Sequence, residues 1–254
     1  MDFADRNGIV IIDECPGVAL DHFEAPLLAH HLSVMTELVE RDKNHPSVVM
    51  WSVGNEPKSY REKAGKYFKS VAEHTRQLDP TRPVTLVINA PWDQDHASQH
   101  FDIIAINRYF AWYTDPGHTE LIQRKMFSEL ENWRRATGKP VMVTEYGADT
   151  VAGIHMEPAM VFTEEYQVQL IKENFKAFDQ ARAEGWFIGE HIWNFADFMT
   201  KQEPRRVAGN KKGIFTRERQ PKLAAHVLRE RYWRLAQQLE ARQPRNLTSS
   251  FLFS

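Results

Sequence analysis

The sequence predicts an α/β fold with a parallel sheet, because short apolar runs rich in Val and Ile alternate with longer helical stretches. Turn residues bound these runs, and 42% of the 254 residues are hydrophobic, which is enough for a sizeable core. The chain shows no internal repeat, no low-complexity tract and no Gly/Ser linker. These observations together predict one large α/β domain.

Six strands are predicted, at residues 9–12, 48–53, 84–88, 103–106, 141–144 and 187–193, and the clearest helices at 26–41, 61–78, 120–137 and 164–184. Signals at the helix ends agree with this assignment. Thr163 is a predicted N-cap followed by acidic residues, and the Thr-Gly-Lys-Pro segment at 137–140 ends a helix just before a strand. The first residues predict the end of a helix, a turn at Asn7-Gly8, and then a strand.

Two architectures fit six strands with intervening helices, an open doubly wound sheet and a barrel. A doubly wound nucleotide-binding sheet carries a Gly-rich turn after its first strand, and no G-x-G-x-x-G or P-loop is present here. Polar and reactive residues instead follow strand after strand: Asp13-Glu14, Asn55-Glu56, Asn107, Tyr109, Glu145-Tyr146, Asn194 and Asp197. Functional side chains at the carboxyl ends of the strands are typical of a TIM (β/α)8 barrel, so the barrel is preferred.

Composition excludes several classes of function. The formal net charge of −2 argues against nucleic-acid and membrane-surface partners, and no apolar run approaches the roughly 20 residues of a membrane-spanning helix. The N-terminus lacks the pattern of a signal peptide. The single cysteine, Cys15, rules out a disulfide framework and is expected to be a buried core residue. Without H-E-x-x-H or a cysteine cluster, neither a metal nor a cofactor is predicted.

Two carboxyl groups carry the predicted chemistry, because Glu56 and Glu145 each end an apolar strand at the rim of a low-dielectric interior. Two facing carboxyl groups suit glycoside hydrolysis, in which one donates a proton and the other attacks the anomeric carbon. A helix N-cap or a salt bridge would explain either glutamate alone. Neighbouring polar and aromatic residues favour sugar binding: Asn55, Tyr146, Trp51, Tyr109, Trp112, Tyr113, Trp193 and Phe195.

Four stretches, at residues 41–57, 141–155, 189–200 and 209–233, resemble the β-glucuronidases of glycoside hydrolase family 2, most of all the animal lysosomal type. The similarity extends from about residue 5 to residue 235. It implies a retaining mechanism in which Glu56 is the general acid/base and Glu145 the nucleophile, with the two carboxyl groups about 5 Å apart. It also implies that Asn55 touches the sugar 2-hydroxyl group and that Tyr109 lies beside the nucleophile.

The loop after the last strand indicates which sugar is bound. It places four basic residues in a Gly-containing segment, Arg205, Arg206, Lys211 and Lys212. A solvated basic loop would give the same composition. The resemblance implies instead that Asn210 and Lys212 bind the C6 carboxylate of a uronic acid through charge-assisted hydrogen bonds, with Arg206 and Trp193 lining that end of the site.

The strand count predicts an incomplete barrel, since six strands are visible and a closed barrel of this class has eight. In the resembling family the acid follows strand 4 and the nucleophile strand 7, so the visible strands correspond to strands 3 to 8. We therefore expect a partial catalytic domain at 1–235 and a C-terminal tail at 236–254, which contains an Asn246-Leu247-Thr248 glycosylation pattern. We do not expect the sugar-binding-like and immunoglobulin-like N-terminal β domains of the family in this chain. Such a remnant is expected to be poorly stable and nearly inactive, because its parallel edge strands lack partners.

Two functions follow from these observations. The first is a retaining β-glucuronidase that removes terminal β-D-glucuronic acid from glucuronides or glycosaminoglycan ends. The second is a non-catalytic remnant of the same fold that acts in carbohydrate binding or subunit association. The resemblance further implies a homotetramer for the full-length form and a lysosomal location, although this chain carries no targeting segment.

Overall fold

A computed structural model describes residues 1–242. Its strands are β1 (Ile11–Glu14), β2 (Val48–Asn55), β3 (Val84–Ile88), β4 (Ile103–Asn107), β5 (Val141–Glu145) and β6 (Phe187–Glu190). Its helices are α1 (Asp2–Asn7), α2 (Ala25–Asp42), α3 (Glu62–Leu78), α4 (Ile122–Thr137), α5 (Glu164–Ala183) and α6 (Leu223–Arg242). Short 3-10 turns lie at Ser98–His100 and Thr119–Leu121. Among the described residues, no helix is both long and apolar enough to cross a membrane.

The six strands form one parallel sheet in the order β1-β2-β3-β4-β5-β6, which confirms the predicted α/β class. Each strand lies beside the next one in the chain, as in a barrel. A doubly wound sheet instead reverses its strand order at a switch point. Within the described sheet, β1 and β6 are the edge strands.

Apolar side chains from neighbouring strands form a core layer on one face of the sheet. Met50, Val87, Ala105 and Met142 are buried together, one each from β2, β3, β4 and β5, and Ile12 of β1 packs against them. Successive side chains of a strand point to opposite faces of the sheet. Every second residue of each strand therefore lies on the same face as this core layer.

Three predicted helix-end signals are present in the structure. Gly8 and Gly138 end α1 and α4 with φ angles of 66° and 70°, a left-handed conformation that glycine adopts without steric cost. The Thr163 hydroxyl accepts a hydrogen bond from the Tyr166 N–H at 3.2 Å, so the predicted N-cap of α5 is confirmed.

Most elements differ from their predicted bounds by one to three residues. β1 begins at Ile11 rather than residue 9, and the side chain of Val10 before it is 70% exposed. β6 ends at Glu190 rather than residue 193. Helix α6 continues to Arg242, into the segment expected to be a tail, and the Asn246 glycosylation pattern lies outside the described residues.

The chain divides into two compact units. Unit 1 comprises Met1–Gly147 and Leu170–Trp193 and contains the whole sheet. Unit 2 comprises Ala148–Gln169 and Asn194–Ser254, described as far as Arg242. The two units are described separately below.

Candidate active site

Polar side chains of unit 1 gather where three parallel strands end. Asn55 and Glu145 are the last residues of β2 and β5, Asn107 is the last of β4, and Glu56 and Tyr109 follow β2 and β4 by one and two residues. Carboxyl ends of parallel strands meet at one edge of a sheet, and the hydrogen bonds below confirm that these side chains lie together.

The end of β2 places Glu56 in an uncommon backbone conformation. A Cβ atom on Gly54 would lie 2.9 Å from the Gly17 carbonyl oxygen, so glycine is needed there for the close approach of the two segments. The Asn55 N–H then donates to Gly17 O at 2.9 Å, and the Glu56 N–H donates to Val87 O at 2.9 Å. Glu56 has φ 49°, a left-handed conformation that costs a non-glycine residue on the order of 1 kcal/mol. Strain of this kind at a carboxyl-bearing residue indicates a functional position.

Asn107 connects the two predicted catalytic glutamates. Its Nδ2 donates to Glu56 Oε1 at 2.9 Å and to Asn55 Oδ1 at 3.1 Å. Its Oδ1 accepts a hydrogen bond from the Thr144 hydroxyl at 2.8 Å, which fixes the orientation of the amide. A hydrogen bond from Asn107 also lowers the pKa of Glu145. Asn107 thus hydrogen-bonds Glu56 and lies opposite Glu145 in the parallel register of β4 and β5.

Glu145 lies in an environment that favours its protonated form. Burial, followed by the charges of Glu56 and Glu14, raises the pKa of Glu145 to about 7, against the opposing hydrogen bonds from Tyr109 and Asn107. The Tyr109 hydroxyl donates to Glu145 Oε2. Burial, and then the nearby Glu145 charge, raises the pKa of Tyr109 far above its ordinary value, so Tyr109 remains a donor.

A cavity of about 170 Å³ opens beside these residues on unit 1. It is lined by Ile12, Glu14, Asn55, Thr85, Val87, Thr144, Glu145, His191 and Trp193. Trp193 thus lines the same cavity as Asn55 and Glu145. Carboxyl, amide, hydroxyl and indole groups around one small cavity provide hydrogen-bond partners and an aromatic face of the kind that a sugar ring requires.

Other aromatic residues of the predicted surround have structural roles. Trp51 is fully buried, and its Nε1 donates to Asp79 Oδ2 at 2.9 Å, so it belongs to the core rather than to a sugar platform. Trp112 is also buried, whereas Tyr113 packs edge-on against Tyr109 with ring centroids 4.9 Å apart. Phe195 belongs to unit 2 and is 63% exposed.

Unit 2 contains the predicted basic loop, organised around two carboxylates. Lys212 and Asp149 are fully buried and form an ion pair, and Arg206 Nη1 lies 3.6 Å from Asp149 Oδ1. Asn210 Oδ1 accepts the Lys212 backbone N–H at 3.0 Å, so the two predicted carboxylate-binding residues fix each other's geometry. The pattern is therefore a built cluster rather than a solvated basic loop.

Ion pairs also surround Asp197, the second carboxylate of the cluster. Lys222 Nζ is buried and donates to Asp197 Oδ1 at 2.9 Å, and Lys211 Nζ lies 3.7 Å from Asp197 Oδ2. Burial raises the pKa of Asp197 and lowers that of Lys222, and their ion pair opposes both shifts. These ion pairs join four cationic side chains to two carboxylates, Asp149 and Asp197, which leaves an excess of positive charge.

Sequence reasoning did not assign a role to several of these residues. Asn107 was recognisable only as one polar residue at a strand end, and Thr144, Asp149 and His191 carried no separate signal. Their positions depend on which side chains the parallel strands and the basic loop bring together, and spacing along the chain does not reveal this.

Three side chains of types that can bind a metal ion lie close together beside α1, and local hydrogen bonds explain why they do. Ligand atoms of Asp2, Asp5 and His45 lie within 4.8 Å of one another. His45 Nδ1 is paired with Asp5 Oδ2 at 2.6 Å, and Asp5 Oδ1 accepts the Ser47 N–H at 3.0 Å. These contacts attach α1 to the segment before β2.

Comparison with known proteins gives a consistent result. Residues 1–237 match the family model described as glycosyl hydrolases family 2, TIM barrel domain. The chain is 53% identical to human β-glucuronidase over 253 residues, 98% of this chain and 38% of that protein, and 54% identical to the cat enzyme over 247 residues, 96% and 38%. The chain thus spans about two fifths of the length of these relatives.

Solved structures agree. A β-glucuronidase from an uncultured Clostridium species superimposes with a TM-score of 0.88 at 50% identity, covering 92% of this chain and 42% of that one. A β-glucuronidase from Ruminococcus gnavus, in complex with a C6-substituted uronic isofagomine, gives a TM-score of 0.84 at 39% identity, with 91% and 41% covered.

Proposed function

Because this chain belongs to glycosyl hydrolases family 2, in its TIM barrel domain, we propose that it carries the catalytic carboxyl groups of a retaining β-glucuronidase. The reaction is removal of terminal β-D-glucuronic acid from glucuronides or from glycosaminoglycan ends. The observation that supports it most directly is that Asn107 hydrogen-bonds Glu56 and lies opposite Glu145 in the register of β4 and β5, so the two carboxyl groups adjoin one polar side chain.

Glu145 is the nucleophile of this proposal, and Glu56 is the general acid/base. The Glu145 carboxylate attacks the anomeric carbon while Glu56 gives its proton to the departing glycosidic oxygen, and the bond between that carbon and oxygen breaks. Glu56 then takes a proton from water, whose oxygen attacks the anomeric carbon and releases Glu145. The Tyr109 and Asn107 hydrogen bonds favour the ionised Glu145 that the first step needs.

Substrate contacts follow from the same geometry. Asn55 is held by Asn107 next to Glu56, a position suited to hydrogen-bonding the sugar 2-hydroxyl group. Trp193 supplies an aromatic face at the cavity that Glu145 also lines.

The C6 carboxylate of the sugar is assigned to Asn210 and Lys212, with Arg206 as a further cation. The excess positive charge of the cluster in unit 2 supports this assignment, because a uronate would complement it. Asp149 orients the Lys212 ammonium group by accepting its hydrogen bond.

In this proposal β1 to β6 correspond to strands 3 to 8 of an eight-stranded barrel, in the order that the sheet shows. The full-length form is a homotetramer that acts in the lysosome, as the similarity to animal enzymes favours. The alternative is a non-catalytic remnant of this fold that binds carbohydrate or associates with other subunits. Because the chain spans only 38% of the length of the human relative, this alternative needs a direct test.

Hydrolysis of an aryl β-D-glucuronide tests both functions. We would compare the chain alone with a fusion in which the segment of the human relative preceding the matched region is placed before Met1. Turnover by the fusion, abolished by Glu145→Ala and retained by the control Glu190→Gln, supports catalysis. A folded fusion without turnover that still binds glucuronic acid would favour the remnant instead.

The sugar specificity has its own test in the same fusion. Lys212→Ala is expected to reduce kcat/KM for the glucuronide more than for the matching neutral aryl glucoside. Equal losses on the two substrates would contradict the role of Lys212 in binding a carboxylate.

A further inference from the structure

We propose that Glu14 is a positioning residue of the candidate active site, a third carboxyl group that controls the ionisation of Glu145 from across the same cavity. This inference rests on the proposed function only in taking Glu145 as the nucleophile. Glu14 is the last residue of β1, and both carboxyl groups line the cavity of about 170 Å³.

Glu14 is held in place by its neighbour on β2. In the parallel register Glu14 lies opposite Ser52, and the Ser52 hydroxyl donates to Glu14 Oε2 at 2.8 Å. Ser52 is fully buried, so its hydroxyl has little freedom to serve another acceptor. This hydrogen bond holds the Glu14 carboxyl group at the cavity wall, although Glu14 as a whole is exposed at the end of the edge strand β1.

The charges of three carboxyl groups interact in this space. Glu56 acts on both Glu14 and Glu145, and Glu14 acts on Glu145, in each case by repulsion between like charges. Burial is the largest cause that raises the pKa of Glu14, and the Ser52 hydrogen bond opposes it. Because like charges repel, ionisation of Glu14 disfavours ionisation of Glu145, and the reverse also holds.

Other titratable side chains lie beside Glu14 and Glu145. Tyr109 hydrogen-bonds Glu145, Cys15 adjoins Glu14 in the chain, and His191 lines the cavity from the segment after β6. Burial raises the pKa of the Cys15 thiol, which therefore adds no charge at neutral pH, and burial lowers the pKa of His191.

The consequence is a division of roles. While Glu14 keeps its proton, Glu145 ionises more readily and is able to attack. Once Glu14 is ionised, its charge opposes the ionisation of Glu145. Glu14 therefore adjusts the pH at which the nucleophile becomes active without touching the reacting atoms.

Carboxyl-carbon NMR of the whole chain, labelled with 13C at the glutamate carboxyl groups, tests this inference. The Glu145 signal is identified as the one lost in Glu145→Gln and is then followed from pH 4 to pH 9. Glu14→Gln keeps the side-chain size and a partner for Ser52 but removes the charge. We expect the Glu145 midpoint to move to lower pH by about one unit.

Three further variants make the result decisive. Glu14→Asp restores a charge and should return the midpoint towards that of the unmodified chain, and Glu190→Gln, on β6, should leave it unchanged. Ser52→Ala removes the hydrogen bond that favours ionised Glu14, so a smaller shift in the same direction is expected, and it serves if Glu14→Gln does not fold.

An unchanged Glu145 midpoint in folded Glu14→Gln overturns the inference, as does an unchanged midpoint in folded Ser52→Ala when Glu14→Gln cannot be obtained. The titration needs no turnover. Loss of glucuronide hydrolysis in the fusion would therefore overturn the proposed function while leaving this result readable.

Discussion

The Tyr109 hydroxyl donates a hydrogen bond to Glu145, and this contact opposes the burial that raises the pKa of the carboxyl group to about 7. A nucleophilic carboxyl group must be ionised to attack, so the hydrogen bond favours the reactive form in a site where burial and like charges disfavour it.

Tyr109→Phe should therefore raise the pKa of Glu145 further. A hydrogen bond to a charged group is worth about 1.5–3 kcal/mol, which corresponds to a rise of about one to two pH units. Carboxyl-carbon NMR of Glu145 measures this shift directly. Tyr113→Phe, in a ring that packs against Tyr109, is the matched control. A Glu145 midpoint that stays in place in Tyr109→Phe would contradict this account.

The stability of the chain should depend on pH through Glu145. The pKa of this group is about 7 in the folded state, against 4.5 when unperturbed, so the folded state binds its proton more tightly. The resulting stabilisation is fully present below pH 4.5 and is lost as pH rises through 7, an effect on the order of 3 kcal/mol. The free energy of unfolding in urea would be measured for the chain and for Glu145→Gln, each at pH 4.5 and pH 8. The change between the two pH values in the chain, minus the same change in Glu145→Gln, is the contribution of Glu145.

Asp13 contributes in the same direction over a lower range, because burial raises its pKa to about 6. The comparison with Glu145→Gln removes this contribution, since Asp13 is present in both chains. Equal pH dependence in the two proteins would show that Glu145 titrates normally in the folded state.

Asn107→Ala should destabilise unit 1 by about 1–3 kcal/mol, because it removes donors from Glu56 and Asn55 and leaves the Thr144 hydroxyl without its acceptor. The free energy of unfolding in urea measures the loss. Asn7→Ala is a useful control, since Asn7 lies exposed at the end of α1 and should cost less than about 1 kcal/mol. Similar losses in the two variants would argue against the central position of Asn107.

Lys212→Met should cost about 3–5 kcal/mol, because it leaves the fully buried Asp149 carboxylate without its closest cation. The double variant Lys212→Met with Asp149→Asn removes both charges and should recover part of that loss. Chemical unfolding of the chain, both single variants and the double variant forms a complete cycle. Strictly additive losses would show that the two buried charges do not interact.

Local rules account for most of the fold. The strand at Val84–Ile88 has the predicted bounds, and the caps at Gly138 and Thr163 are those that helix-end rules require. These features depend on apolar periodicity and on backbone conformation, both of which are readable from adjacent residues. The start of β1 and the end of β6 were misplaced because apolar runs continue past the points where pairing with a neighbouring strand stops.

The sequence by itself determined the parallel α/β class and the placement of Glu56 and Glu145 at strand ends, and its family resemblance implied that Asn210 and Lys212 act together in a basic loop. Only the tertiary structure decided that Asn107 hydrogen-bonds Glu56 and lies opposite Glu145, that Asp149 holds Lys212, and that Glu14 shares a cavity with Glu145. The reason is physical: strand periodicity is a local property of the chain. Hydrogen bonds and charge repulsion act instead through distances across the sheet, which form only when segments far apart in sequence pack together.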